Sequence, residues 1–451
     1  MARNYYQVIN NKPYGTQLPL DTILGVNLNL APHIVTDSAA GATAFACAIK
    51  TYNGAIGVDP EQRACGTVLE AAKAVGYTTG FVVTSRVTHA TPASFSAHVI
   101  NRNFENQIAL QQIGNYTLGR NVDLMFGGGL CHFKPIGDPM SCRLDNINVL
   151  ELAQQSGWSV GTDRQSFEAL ADTSSLPLLQ VFTKDHMSFE IDRDPKKEPS
   201  LKEMAIKALS ILTENTKKSD KGFFLMIEGS RIDMAGHNND PASHVREILA
   251  YNEAIEAVKA YVEQNSDTTV MISVSDHETG GLSVARQLNA TYPVYQWHPE
   301  ALRDVKRSTE IIAPLLVTFT GTDRRAFVTK TVLKEWLAVS DITEEEIKPL
   351  LDPTRDASQI TSQLGLIISR RAELGWATHG HSAVDVNLYA YGLNSKYLRG
   401  NHENTDIGHF IISQLGLDLD PITEKLRKDP PRQSSSFVEV AAPYSPIHYN
   451  H

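Results

Sequence analysis

Four short runs of this chain carry residue types that do chemistry in combination: a hydroxyl, acid and imidazole pairs, and a guanidinium. In VTDSAAGATAFACAIK, residues 35–50, Ser38 stands between a β-branched run (Ile34, Val35, Thr36) and an alanine-rich stretch that favours helix. This predicts a strand-to-helix corner, where unpaired N–H groups and the positive helix end favour an anion such as phosphate beside the hydroxyl. The plainer reading of the same residues is a helix N-cap. In IEGSRIDMAGHNND, Glu228 is followed by Asp233 and His237, four apart, so on a helical turn the last two share a face and can bite one metal ion. Asp276-His277 in SVSDHETGG follows a buried apolar run, where an unpartnered acid is costly.

HATPASFSAHVINR supplies His89, Thr91 and Arg102, and THGHSAVD adds His379 and His381. The planar fork of Arg102 suits two phosphate oxygens, against the plainer reading of a solvent-facing residue in a weak ion pair. His98 reads as a packing histidine and Glu278 as a supporting or exposed acid. Each acid and imidazole pair alone reads as a solvated loop. Their repeated position after buried strands points to a metal site acting on a small anion.

The elements that must position these groups alternate along the chain. The pattern predicts strands over 77–84, 122–126, 222–227, 268–274 and 386–391, and helices over 67–74, 149–155, 200–215 and 241–264. That order is α/β, with a central mixed or mostly parallel sheet sandwiched between helices. Residues 1–33 read as a helix tail and a Pro/Gly-punctuated connection without a strand. Residues 321–375 read as a helix-rich insertion or cap within one domain spanning 1–451, and 428–451 as a mobile Pro/Ser-rich tail.

Composition narrows the partners. With 41 Lys and Arg against 51 Asp and Glu, the net charge of −10 argues against nucleic acid or an anionic membrane as partner. No apolar run reaches the roughly 18 residues of a membrane span. Cys131 and Cys142 bracket a loop and either close a small disulfide or remain free thiols. Asn115-Tyr-Thr and Asn289-Ala-Thr fit the glycosylation sequon, and together these features lean towards a secretory compartment.

The blocks VTDSAAGATA, TSRVTHATPASFSAHV, FFLMIEGSRIDMAGH, SVSDHETGGL, WATHGHSAVDVNLYAYG and GNHENTDIGHF, in that order over nearly the whole length, resemble the alkaline phosphatases, and among them the fungal vacuolar (repressible) enzymes. The resemblance implies a helix-sandwiched sheet, a homodimer, two zinc ions and one magnesium, and broad hydrolysis of small phosphate monoesters. By motif position it makes Ser38 the nucleophile, phosphorylated in the reaction, and Arg102 the phosphate clamp. Asp233, His237 and His381 would hold one zinc, and Asp276 and His277 with Ser38 the other. Thr91 and Glu228 would serve magnesium, with His89 close by. His381 is preferred to His379 because its spacing to Asp385 matches the family block. The implied location is the vacuole lumen, with a membrane anchor in full-length members.

Three positions depart from the family pattern. His89 stands where members carry an acid or a histidine, and Met234 where many carry Trp, His or Lys. The family also opens with a buried strand ending in Asp-Gly-Met-Gly, whose Asp bridges a zinc and the magnesium, whereas this sequence opens at MARNYYQ. Met1 is therefore expected to be an internal methionine of a longer protein. The first core strand, its Asp and the anchor are then missing from the sequence as written, with weakened binding of the second zinc and the magnesium. Two alternatives stand beside the monoesterase: a superfamily phosphodiesterase or sulfatase, and a catalytically impaired metal-binding fragment.

Overall fold

Phe81, Val82 and Val83 are consecutive residues of one strand, and their alternation sets the layers of the molecule. In the computed structural model, which describes residues 1–12, 18, 24–29 and 35–430, Phe81 and Val83 enter one apolar core with Phe45, Met125 and Leu179. Val82 enters another with Leu124, Phe126 and Met204. The strands are β1 (Leu24–Asn29), β2 (Thr78–Arg86), β3 (Leu124–Gly128), β4 (Ser159–Gly161), β5 (Leu178–Val181), β6 (Phe223–Glu228) and β7 (Val270–Val274). They continue as β8 (Glu278–Thr279), β9 (Ser283–Val284), β10 (Leu374–Gly375), β11 (His381–Ser382), β12 (Val386–Gly392) and β13 (Asn401–Glu403).

A five-stranded sheet in the order β4-β5-β3-β2-β6 is parallel throughout. The helices Leu201–Thr216 and Pro241–Gln264 supply Met204, Leu212 and Ala254 to one face. Phe45, Val68 and Ile407, from the helices Ser38–Cys47, Val68–Ala74 and Thr405–Leu415, cover the other. This is the mixed α/β sandwich expected from the alternation of elements. The long helix starts where it was read to start because Asp240 caps it through the N–H groups of Ala242 and Ser243, with Pro241 in its first turn.

The longer strands fall into two sheets. A second sheet, in the order β13-β1-β12-β7, pairs β12 antiparallel with both β1 and β7, and β1 parallel with β13. Among the described residues, β6 and β7 each pair along one side only. All six residues of β6 are half-buried in consequence, and those of β7 alternate between half-buried and buried. Tyr251 of the long helix, like Leu225 and Ile227 of β6, packs against the core of Val82 and Met204, and its hydroxyl meets Ser273 Oγ of β7 at 2.7 Å.

β1 corrects the expectation that residues 1–33 hold no strand. LGVNLN alternates apolar residues with Gly and Asn, which are poor strand formers, and pairing with β12 and β13 on its two sides overrides that local preference. The strand expected before Ser38 is not formed: Val35 is a bend, Thr36 and Asp37 have no regular structure, and Ile34 lies outside the described residues. Helices from Thr309 to Ala372, including a π-helical turn at Phe327–Trp336, enclose a separate core of Ile312, Val332, Leu350 and Leu364. Tyr5 of the Ala2–Ile9 helix and Val245 of the long helix join it. Lys428 ends the Asp420–Lys428 helix, and the rest of the expected tail, from 431 on, lies outside the described residues.

Cys131 is disulfide-bonded to Cys142, and Cys47 to Cys65, a pair 18 residues apart that the sequence reading left unassigned. Among the described residues no helix is long and apolar enough to cross a membrane.

Candidate active site

The ends of β2, β6 and β7 deliver the sequence candidates to one region. Beyond β2, His89 precedes the Ala90–Ser96 helix, with Thr91 in its first turn. Glu228 ends β6, and the Arg231–His237 helix follows with Asp233 and His237 one turn apart. Asp276 and His277 follow β7, and β11 pairs His381 with Thr279 of β8.

Ser38 is the first residue of a helix whose ten residues are all buried. Asp37, not Ser38, is the cap: its Oδ1 accepts from Ala40 N at 2.9 Å. The serine hydroxyl is thereby left free of capping and lies 2.9 Å from His277 Nε2. Oδ2 of Asp37 accepts from Gly54 N at 2.8 Å and from Arg102 Nη1 at 3.1 Å. The cap therefore ties the guanidinium to the residue beside the hydroxyl. Arg102 is 6 % exposed, so the solvent-facing reading of it does not hold. Its Nη2 donates to His89 Nε2 at 3.1 Å. Burial, then the positive charges of Arg102 and Arg86, push His89 down to about 3, so it is a neutral imidazole. Gly41 lets Asp276 approach this helix, since a Cβ there would lie 3.0 Å from that of Asp276.

The second group centres on Asp233. Its Oδ1 lies 3.4 Å from His237 Nε2, 3.5 Å from His381 Nε2 and 4.0 Å from His277 Nδ1, and Thr279 Oγ1 donates to it. Burial alone would raise this carboxyl, but the imidazoles of His237, His381 and His277 outweigh it and hold it well below the usual range. Asp276 Oδ2 lies 3.2 Å from His277 Nε2, and that imidazole outweighs burial and lowers Asp276 in the same way. At Glu228 burial wins. With Asp276 and Asp233 nearby, the carboxyl is pushed up to about 7 despite hydrogen bonds from Ser230 and Thr91.

The donor chemistry here fits cations. His237 Nδ1 faces the His379 carbonyl at 2.5 Å and His381 Nδ1 faces the Thr36 carbonyl at 2.7 Å. Carbonyls only accept, so both Nδ1 atoms carry protons, and the Nε2 atoms, 3.1 Å apart, turn towards Asp233. Asp233, His277 and His381 can bring one ligand atom each within 4.8 Å of one another. His379 Nδ1 instead faces the His237 carbonyl at 2.7 Å and its Nε2 lies near Ser362. Thr91 and Glu228 offer only oxygen, which suits a hard cation such as magnesium.

Several residues here escaped sequence reasoning. Asp37 reads as an ordinary cap, which it is, and its second oxygen is visible only once Arg102 is brought back 65 residues later. Thr279 lies in a quoted block but carries no metal-ligand type. Arg86 is buried between Glu105 and Asp185, with Nη1 2.7 Å from His186 Nε2, and the His186 ring meets His89 edge-on at 5.1 Å. Glu278, taken as a supporting acid, accepts from Gly281 N and Leu282 N, closing the turn between β8 and β9, and from Ser382 of the paired β11.

A model of the family described as alkaline phosphatase matches residues 3–417. The chain is 45% identical to the repressible alkaline phosphatase of Saccharomyces cerevisiae, over 98% of this chain and 83% of the yeast protein. Among solved structures, the cold-active alkaline phosphatase of a psychrophilic Shewanella has a TM-score of 0.77 at 30% identity, covering 92% of this chain and 96% of that one. A variant of the alkaline phosphatase of the Antarctic bacterium TAB5 has a TM-score of 0.64 at 25% identity, over 92% and 94%. With this match in sequence and fold around the Ser38 and Asp233 groups, the chain belongs to the alkaline phosphatase family.

Proposed function

We propose that this phosphatase hydrolyses small phosphate monoesters with Ser38 as nucleophile and a phosphoserine as intermediate. One observation carries the reading: an uncapped hydroxyl at the head of a buried helix, 2.9 Å from His277, beside a cap that holds Arg102. Arg102 grips two non-bridging oxygens and, with the helix N-terminus, neutralises charge on the phosphoryl group. Ser38 Oγ attacks phosphorus as its proton leaves. The bond to the ester oxygen breaks, and the alcohol departs with a proton. Water then attacks the phosphoserine, releasing inorganic phosphate and restoring the hydroxyl.

Asp233, His237 and His381 would hold one zinc ion, Asp276 and His277 with Ser38 a second, and Thr91 and Glu228 a magnesium beside His89. When bound, such cations lower the pKa of a hydroxyl or water and offset charge on phosphoryl oxygens. The TAB5 variant, solved with Mg bound, supports a metal cofactor in this fold. Because these groups grip the phosphoryl end and not the leaving group, a broad substrate range follows. The chain acts as a homodimer in an oxidising vacuolar lumen; both cysteine pairs being disulfide-bonded supports that compartment.

The test is acid-quenched turnover of a phosphate-labelled monoester followed by peptide mapping. Label on Ser38, lost together with activity in Ser38→Ala, is expected. Turnover without label on Ser38 would discard the intermediate. Relative rates on mono- and diesters separate this reading from a phosphodiesterase.

A further inference from the structure

The loop between β9 and the turn at Pro299 exposes apolar side chains densely. Tyr292 is 80%, Tyr295 79%, Val294 62% and Leu288 52% exposed, within eight residues. Asn289 lies among them, itself exposed, in Asn-Ala-Thr. The Thr291 backbone N–H at 3.0 Å and the Thr291 hydroxyl both donate to Asn289 Oδ1, an Asx turn, and among the described residues the amide nitrogen makes no hydrogen bond. The acceptor asparagine and the hydroxyl two residues on thus face each other in a segment without helix or strand.

The other sequon is engaged elsewhere. Thr117 Oγ1 donates to the Asp429 carbonyl at 2.6 Å, and the middle residue, Tyr116, donates its hydroxyl to Glu70 at 2.7 Å. Asn115 is exposed too, but the fold ties Tyr116 and Thr117 to Glu70 and Asp429, whereas the hydroxyl of Asn289-Ala-Thr stays on its own asparagine.

We propose that Asn289 carries an N-linked glycan and that its first sugar lies over Tyr292 and Tyr295. Asn289 Nδ2 attacks the anomeric carbon of a lipid-diphosphate-linked oligosaccharide. The N–C bond forms as the C–O bond to the diphosphate breaks, an amide proton is lost, and the lipid diphosphate departs. The two tyrosine rings meet edge-to-face at 6.3 Å with their hydroxyls 2.8 Å apart, a platform for the apolar face of a sugar. Covered in this way, the patch is removed from the free surface that large exposed apolar areas otherwise offer to other proteins. The inference rests on the secretory-compartment reading, not on the phosphatase chemistry.

The chain is expressed in a eukaryotic host behind a secretory leader. The purified protein is treated with an amidase that converts glycosylated Asn to Asp in heavy-oxygen water. Heavy label on the peptide 287–303 at Asn289 is expected, with loss of that label in Asn289→Gln and weaker label at Asn115. An unlabelled Asn289 overturns the proposal. Deglycosylation is expected to raise the fluorescence of an apolar-surface dye, and the rise is lost in Tyr292→Ser/Tyr295→Ser. Unchanged dye fluorescence overturns the placement of the sugar over the rings. Hydrolysis of p-nitrophenyl phosphate is followed in parallel and stays at the parent level in Asn289→Gln; absence of hydrolysis in the labelled parent would count against the phosphatase reading alone.

Discussion

The Ser38 half and the Asp233 half of the site are held in different ways. Ser38, His89 and Arg102 are 5 %, 7 % and 6 % exposed, and His89 follows β2, where Phe81, Val82 and Val83 have no exposure at all. Their charges close among themselves, Arg102 against Asp37. Asp233 and Asp276 keep side chains 22% and 23% exposed and follow helices or loops fed by β6 and β7, the one-sided strands. There three carboxyls crowd together, and Glu228 answers by holding its proton up to about 7. One half is preorganised by backbone pairing and capping. The other concentrates negative charge that cations would balance, so metal dependence belongs to it.

The largest effect expected from this contrast is on metal content. Asp233→Asn removes the carboxylate shared by three imidazoles, and kcat/KM for p-nitrophenyl phosphate is expected to fall about 10³-fold, with loss of bound zinc by elemental analysis. Arg102→Ala is expected to cost about 10²-fold at unchanged metal content. Equal loss of metal in the two variants would erase the distinction between the halves.

Stability separates them by a smaller margin. Phe81→Ala opens a cavity in a closed sheet and is expected to cost about 3–5 kcal/mol in denaturant unfolding. Phe224→Ala, on the half-buried β6, is expected to cost about 1–2 kcal/mol, because less of the ring leaves water on folding. A larger cost at Phe224 would mean that the one-sided edge of β6 is covered in solution.

The contrast also divides what the sequence makes legible. Pro241–Gln264 and Val149–Gln155 match their expected ranges, and their starts are marked locally by the N-caps Asp240 and Asn148. Asp233 and His237 share a helix face at a spacing of four, and that local signal survives folding. What is lost is non-local. β1 is built from Gly and Asn positions that acquire strand character only beside β12 and β13. The division of the sheet between β6 and β7 depends on pairings among strands far apart in sequence. Asp37 gives one oxygen to its own helix, which is readable, and the other to Arg102, which is not.

The smallest expected effect is a pH dependence, and it places a proton in each half. His98, read from sequence as a packing histidine, faces the Gly57 carbonyl at 2.7 Å through Nδ1 and the Glu70 carboxylate at 2.8 Å through Nε2. Both partners accept, so both ring nitrogens carry protons and the ring is an imidazolium. Burial would lower it, but Glu70 outweighs burial and raises it above the ordinary 6.5. Gly57 cannot be replaced here, since its φ is +57 and a Cβ would lie 2.3 Å from the Ala97 carbonyl oxygen; its N–H holds Thr43 of the Ser38 helix. The folded state binds this proton more tightly than the unfolded one. Its contribution is therefore complete below about 6.5 and is lost as pH rises through the folded value, at no more than about 1.4 kcal/mol per pH unit. In metal-free protein Glu228 adds a separate limb of the same sign between 4.5 and about 7, because its neutral form is favoured in the fold. Thermal unfolding against pH is expected to lose only the upper limb in His98→Gln and only the lower limb on adding magnesium. Loss of the upper limb on adding magnesium would move that proton from the closed half of the site to the open one.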